Sequence, residues 1–171
     1  MLLEILKITI PSLIVFLTAY FVLKAVLKRE HESRKIEVVL QNKKIITPLR
    51  LQAYERIVLF LERISPNSII IRLQTPNMTV GQLHKEMLTT IRTEFEHNLS
   101  QQLYLSISAW EEVRNAKEKT IKLLNSCLED LDLNDNALIY SQKIFETLIE
   151  IEKSPTQEAI NFVKEEVAQL Y

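Results

Sequence analysis

A long uncharged run near the amino terminus constrains this chain more than any other feature. Residues 8–23 carry no charge, and Lys7 and Lys24 lie on either side of them. Together with the apolar residues beyond these lysines, residues 3–27 reach the length of a membrane-spanning helix, which is about 20 mostly apolar residues. The pattern therefore predicts a single transmembrane anchor over residues 3–27.

A cleaved secretory signal peptide is the alternative for the same segment. Such signals begin with basic residues and end at a cleavage site made of small residues. In this chain Glu4 precedes the first lysine, and Ala25 stands among larger residues without forming a small-residue cleavage site. These two features favour an anchor that is retained.

Basic residues are concentrated on the carboxyl-terminal side of the apolar run. Residues 24–44 contain seven lysine or arginine side chains and three glutamates. Because cations next to a span stay on the cytoplasmic side, we expect the amino terminus outside and the long remainder in the cytoplasm. The same cations favour contact with anionic lipid, which makes the bilayer an expected partner. The predicted membrane-flanking basic residues are Lys24, Lys28, Arg29, Arg34 and Lys35.

The carboxyl-terminal part is acidic and carries the one cysteine of the chain. Residues 48–171 hold 13 basic and 18 acidic side chains, whereas a nucleic-acid-binding domain presents a basic surface. We therefore expect no nucleic-acid partner. Cys127 has no second cysteine with which to form a disulfide, and its leucine neighbours predict a buried thiol. Both observations are typical of a reducing cytoplasm.

The scarcity of glycine predicts a helical fold. The chain has one glycine in 171 residues, where average usage of about 7% would give roughly twelve. β-Hairpins and bulges depend on glycine, so a sheet is disfavoured. The predicted fold class is all-α: an N-terminal transmembrane helix, a basic stalk over residues 28–47, and a small multi-helix bundle over residues 48–171. The apolar stripe of the stalk, which includes Ile36 and Leu40, could support self-association.

Caps and apolar spacing divide the bundle into helices. Serine or threonine followed by proline predicts helix starts at Pro48, Pro66 and Pro155. Capping-box spacing predicts further starts after Thr79 and Ser108, and supports the one after Ser154. Residues 65–79 are compatible with helix, strand or loop, and the isolation of residues 69–71 favours a short helix. Within residues 137–151 the residues expected to face the core are Leu138, Ile144, Phe145, Leu148 and Ile151.

Three segments carry a resemblance to a known group of proteins. These are residues 47–56 (TPLRLQAYER), 61–67 (LERISPN) and 94–102 (EFEHNLSQQ). They resemble a family of small bacterial single-pass membrane proteins that is uncharacterised, and the likeness extends from the anchor to about Ala116. The resemblance implies a bacterial inner membrane and a helical cytoplasmic domain, and it supplies no active site.

Few residues suggest a catalytic, metal-binding or ligand-binding site. Glu94 and His97 have the spacing of a metal-ligand pair on one helical face, but a metal site needs further ligands, and a solvated helix-stabilising pair is favoured. We expect no metal and no cofactor. His84 falls on the apolar face of its helix, which predicts a hydrogen-bonded core or interface residue. Residues 132–136 resemble the start of a calcium loop, yet Ala137 stands where that loop needs glycine, so a turn is favoured.

Two classes of function remain. The first is a non-enzymatic adaptor or accessory subunit, anchored in the membrane, that binds a protein partner or itself at the cytoplasmic face. The second is a membrane-tethered enzyme or ligand sensor with a site assembled from scattered residues. The first is favoured because enzymes usually cluster titratable groups. Residues that could contribute to a binding or assembled site are His84, Glu94, His97, Tyr104 and Trp110.

Overall fold

The protein is all-helical in the computed structural model, which describes the backbone of residues 2–151 and 153–170 and the side chains of residues 13–37, 40–151 and 153–169. In chain order the helices are α1 (Leu2–Ile64), α2 (Pro66–Leu73), α3 (Val80–Asn98), α4 (Ile107–Leu128), α5 (Ala137–Glu150) and α6 (Pro155–Leu170). Residues 99–103 form a short 3₁₀ segment between α3 and α4.

The predicted transmembrane helix requires correction. Among the described residues, no helix combines the length and the apolar character that crossing a bilayer needs. The side chains of residues 3–12, which belong to the predicted segment, lie outside the described ones. The described residues therefore form an all-helical bundle and do not support the predicted N-terminal transmembrane helix.

The predicted helix start at Pro48 is also wrong. The sequence pair Thr47–Pro48 has the form of a cap, but α1 continues through it from Leu2 to Ile64. Proline inside a helix has no N–H to offer the carbonyl of Lys44, so the helix is locally weakened there rather than ended. The chain divides at this peptide bond into two compact units, Met1–Thr47 and Pro48–Tyr171.

The core of the second unit is built from one stripe of each helix. Its largest fully buried side chains include Tyr54 and Phe60 from α1, Met87 from α3, Leu124 from α4 and Tyr140 from α5. Cys127 is free and buried, as its leucine neighbours predicted. The uncertain segment over residues 65–79 is helical only in Pro66–Leu73, where Ser65 is the cap and Pro66 lies in the first turn. Residues 74–79 form the loop before α3.

Three of the five predicted helix starts are confirmed, namely those at Pro66, after Thr79 and at Pro155. Thr79 and Gln82 form a complete capping box at the start of α3, and α6 begins at Pro155. The start predicted after Ser108 is wrong, because Ser106 is the residue that caps α4 and accepts from the Ala109 N–H at 3.0 Å.

The loops that precede α3 and α5 pair with each other. Thr79 and Asn136 form an isolated antiparallel bridge, flanked by N–H to carbonyl bonds of 2.9 Å from Val80 to Asp135 and from Ala137 to Met78. The N–H of Gly81 donates to the Leu133 carbonyl at 3.0 Å. These bonds satisfy N–H groups at helix starts that would otherwise have no partner within the helix.

Close packing at this junction explains why residue 81 is a glycine. A Cβ atom at Gly81 would lie 3.3 Å from both the Cβ and the carbonyl oxygen of Leu133. In the loop that contains Leu133, the Asp132 carboxylate accepts from the Asn134 N–H at 2.9 Å. This bond confirms the turn that was favoured over a calcium loop at residues 132–136.

The inward face of α5 agrees with the prediction only in part. Ile144 is buried and Leu148 packs, partly buried, against the core, as expected. Leu138 is 59% exposed and Phe145 is 36% exposed, whereas Tyr140 and Ser141, which were not expected to face the core, are buried. The helix is rotated relative to its apolar stripe because Tyr140 and Ser141 have hydrogen-bond partners on other parts of the bundle, Leu124 and Gln74.

Candidate binding surfaces of the helical bundle

An apolar groove runs between α1 and α6. This α1–α6 groove has a volume of about 470 Å³, and most of its lining is aliphatic. Leu59 forms an exposed ridge on one side, with 61% of its surface accessible. Glu55 and Lys164 contribute opposite charges to its lining. The full lining is Leu51, Tyr54, Glu55, Val58, Leu59, Val163, Lys164 and Val167.

A polar network beneath the groove ties three helices together. The Tyr54 hydroxyl donates to one oxygen of the Glu166 carboxylate, and the Ser106 hydroxyl donates to the other at 2.5 Å. Arg50 donates from Nη2 to the Tyr54 hydroxyl at 3.3 Å and from Nε to the Tyr104 carbonyl at 3.0 Å. Burial, and then the bond to Glu166, raises the pKa of Tyr54. Side chains of α1 and α6, together with the Ser106 cap of α4, therefore hold Tyr54, which lines the groove, in place.

A second depression lies between α1 and α3 and contains two arginines. This arginine pocket has a volume of about 330 Å³. Arg63 Nη2 pairs with Glu94 Oε1 at 2.7 Å, and the Glu94 side chain is only 15% exposed. Asn98 donates from its amide to the Glu94 carbonyl at 2.8 Å. The lining comprises Arg56, Leu59, Phe60, Arg63, Glu94, His97 and Asn98.

Glu94 and His97 thus share a cavity, but Glu94 is not the solvated partner of His97 that the sequence favoured. The Glu94 carboxylate pairs instead with Arg63, which is 31 residues away in the sequence. No local sequence pattern reveals this pair. Within the described side chains, no group of three or more His, Cys, Asp or Glu residues is arranged to hold a metal ion.

His84 is a hydrogen-bonded, half-buried residue. The Tyr140 hydroxyl donates to the Leu124 carbonyl at 2.8 Å, so its oxygen accepts from His84 Nδ1, also at 2.8 Å. This arrangement assigns a proton to Nδ1. The two rings meet edge to face with centroids 5.8 Å apart. Burial lowers the pKa of His84 and raises that of the Tyr140 phenol.

The remaining scattered candidates have separate surroundings. Trp110 stacks on Phe95 with centroids 5.5 Å apart, and Lys117 Nζ lies 4.2 Å from the centroid of the Phe95 ring. Tyr104 is 38% exposed and contributes its backbone carbonyl to Arg50. None of these contacts brings Tyr104 or Trp110 to His84, so the described side chains do not converge on one assembled site.

The basic residues predicted to flank a membrane lie on the first unit, and all five are exposed. Arg34 pairs with Glu30 at 2.6 Å one helical turn away, and Lys24 lies 6.0 Å from the centroid of the Tyr20 ring. The other members of this set are Lys28, Arg29 and Lys35.

Sequence reasoning missed three surface depressions of the bundle. The third, the α2–α5 depression, has a volume of about 590 Å³ and includes Ile71, Leu138 and Phe145 in its lining. A signal for the first two existed in Leu59, an apolar residue that does not belong to the buried stripe of its helix and that lines both the α1–α6 groove and the arginine pocket.

Comparison with known proteins identifies a family for this chain. The model of a family described as "Family of unknown function (DUF7935)" matches residues 1–170. Neither the curated proteins nor the solved structures contain a match to this chain.

Proposed function

We propose that this chain, which belongs to the DUF7935 family of unknown function, is a non-enzymatic helical adaptor or accessory subunit that binds a protein partner. The observation that carries the proposal is the α1–α6 groove. Its ordered apolar floor is open to a partner, and no reactive constellation accompanies it in the described residues.

The shape of the groove favours a helix as the occupant. Two helices side by side leave a channel in which the apolar stripe of a third helix packs, with anchors at positions i, i+3 or i+4, and i+7. Val58 and Val167 supply half-buried surface from the two walls, and Leu59 rises above them. The buried Tyr54 holds the floor through its bond to Glu166.

The charges of the groove restrict which helix fits. Glu55 lies on α1 and Lys164 on α6, so the lining carries one charge of each sign. An amphipathic helix with a basic residue toward α1 and an acidic residue toward α6 complements both charges. Such complementarity sets orientation and partner choice more than affinity.

Site-specific photo-crosslinking tests the proposal. The full chain carries benzoylphenylalanine at Leu59, in the groove, or at Ile149, an apolar residue that is 83% exposed and lines none of the three depressions. We expect one discrete crosslinked protein from Leu59 and none at the same mass from Ile149. Equal products from both positions, or none from Leu59, contradict the groove as a binding site.

Affinity measurement with the captured partner completes the test. Leu59→Asp places a charge on the apolar ridge, and we expect it to weaken binding by tenfold or more, because anchors at an interface centre contribute about 2 kcal/mol or more. Ile149→Asp is the matched control and should leave the dissociation constant within twofold. An unchanged constant for Leu59→Asp refutes the proposal.

The setting of this interaction is also proposed. We infer a reducing bacterial cytoplasm, supported by the resemblance of three segments to a bacterial family and by the single free, buried Cys127.

A further inference from the structure

We propose that the arginine pocket between α1 and α3 is a binding site for a small organic monocarboxylate that has an apolar body. This site is distinct in chemistry from the α1–α6 groove, and it goes beyond the partner-binding role proposed above.

The two arginines of the pocket face the same way. Arg56 and Arg63 are seven residues apart on α1, which is close to two full helical turns. Arg63 is held in place by its ion pair with Glu94, and a guanidinium has five N–H donors, so one ion pair leaves others available. Arg56 lines the pocket and makes no hydrogen bond or ion pair with any side chain that the structure describes. The pocket therefore offers an anchored and an unengaged guanidinium.

The charge balance of the pocket selects a monoanion. Among the arginine and glutamate side chains of the lining, Arg56 and Arg63 contribute two positive charges and Glu94 contributes one negative charge. The resulting charge of +1 is neutralised by one carboxylate, whereas a phosphate dianion would leave the pocket negative. A carboxylate also matches the planar guanidinium, with which it forms paired, charge-assisted hydrogen bonds.

The rest of the lining suits an apolar body. Phe60 is 1% exposed, packs against Phe95 with ring centroids 5.9 Å apart, and still lines the cavity. Leu59 supplies an exposed aliphatic wall. The volume of about 330 Å³ is at the small end of the range for ligand pockets, roughly 300–1,000 Å³. A single aromatic ring with one carboxylate is of suitable size and chemistry.

Titration of the full chain with benzoate tests the site, followed by calorimetry or by backbone amide NMR shifts. Benzamide is the uncharged isostere, and inorganic phosphate is the anion without an apolar body. We expect saturable binding of benzoate, at least tenfold tighter than that of either control compound, with the largest shifts at residues 94–98. Absence of saturable benzoate binding, or equal affinity for benzamide or phosphate, overturns the proposal.

Two arginine variants localise the binding. Arg56→Gln removes the unengaged guanidinium without breaking a described contact, so the fold should be retained, and benzoate affinity should fall about tenfold. Arg114→Gln removes an exposed arginine on α4 that does not line the pocket, and affinity should stay within twofold. Equal effects of the two variants would show general electrostatics rather than a site. Because no protein partner takes part, the outcome is independent of the α1–α6 groove.

Discussion

The hydroxyl of Tyr140 is a sensitive point of the core, and its removal gives a quantitative prediction. Tyr140 is fully buried, and its hydroxyl joins α3 to α4 by accepting from His84 Nδ1 and donating to the Leu124 carbonyl, both at 2.8 Å. Tyr140→Phe deletes one oxygen atom and keeps the ring, including its edge-to-face contact with His84. The variant therefore isolates the two hydrogen bonds from the packing.

The expected cost follows from the number of bonds lost. A typical hydrogen bond contributes about 1 kcal/mol net to the free energy of unfolding, and a buried group left without its partner costs more. With two bonds lost, Tyr140→Phe should reduce the free energy of unfolding by about 2 kcal/mol. His84→Leu removes one of the two bonds and should cost about 1 kcal/mol.

Urea unfolding of the full chain, followed by circular dichroism, measures these values. In a double-mutant cycle the effect of Tyr140→Phe should be smaller when His84→Leu is already present, with a coupling energy of about 1 kcal/mol for the shared bond. Tyr104→Phe is the matched control: Tyr104 is 38% exposed, and its replacement should change stability by no more than about 0.5 kcal/mol. A coupling near zero, or a cost for Tyr140→Phe equal to the control, would refute the assignment of Nδ1–H of His84 as donor to Tyr140.

Three further perturbations give distinct outcomes. Burial lowers the pKa of His84 in the folded state, so the unfolded chain takes up the proton first as the pH falls below about 6.5. Urea unfolding at a series of pH values should therefore show that the free energy of unfolding decreases below this pH. The decrease should be shallower in His84→Gln. Gly81→Leu should lower the free energy of unfolding by about 2 kcal/mol through overpacking against Leu133, whereas exposed Lys85→Leu should not, as thermal melts will test. Glu166→Gln should cost about 1–2 kcal/mol in a denaturant titration, since an amide offers one acceptor oxygen to two donating hydroxyls; a cost equal to that of Glu165→Gln would contradict the network.

Local signals in the sequence were sufficient to predict the helices and most of the residues at which they begin. Three of these signals involve only residues close together in the sequence: the capping box at Thr79, the serine–proline pair at Ser65 and the short apolar run of residues 69–71. The structure agrees with each of them. The same local reasoning failed at Pro48, because the helical residues on both sides outweigh one missing hydrogen bond. It also failed for the anchor over residues 3–27.

The surface depressions were not predictable because they depend on distant pairs of residues. Leu59 and Val167 line the same groove although more than 100 positions separate them. Glu94 finds its counter-charge on another helix. On α5, hydrogen bonds from Tyr140 and Ser141 decide which face turns inward, so hydropathy alone assigned Leu138 to the wrong side.

The pairing of the two loops before α3 and α5 has a consequence for how the family can vary. Surface loops usually tolerate insertions and deletions, but here each loop supplies carbonyls to the N–H groups at the start of the other loop's helix. One added residue beside Thr79 or Asn136 would shift the paired atoms out of register and leave both helix starts unsatisfied. We therefore expect members of the family to keep the lengths of these two loops fixed together, and to place their length differences elsewhere in the chain.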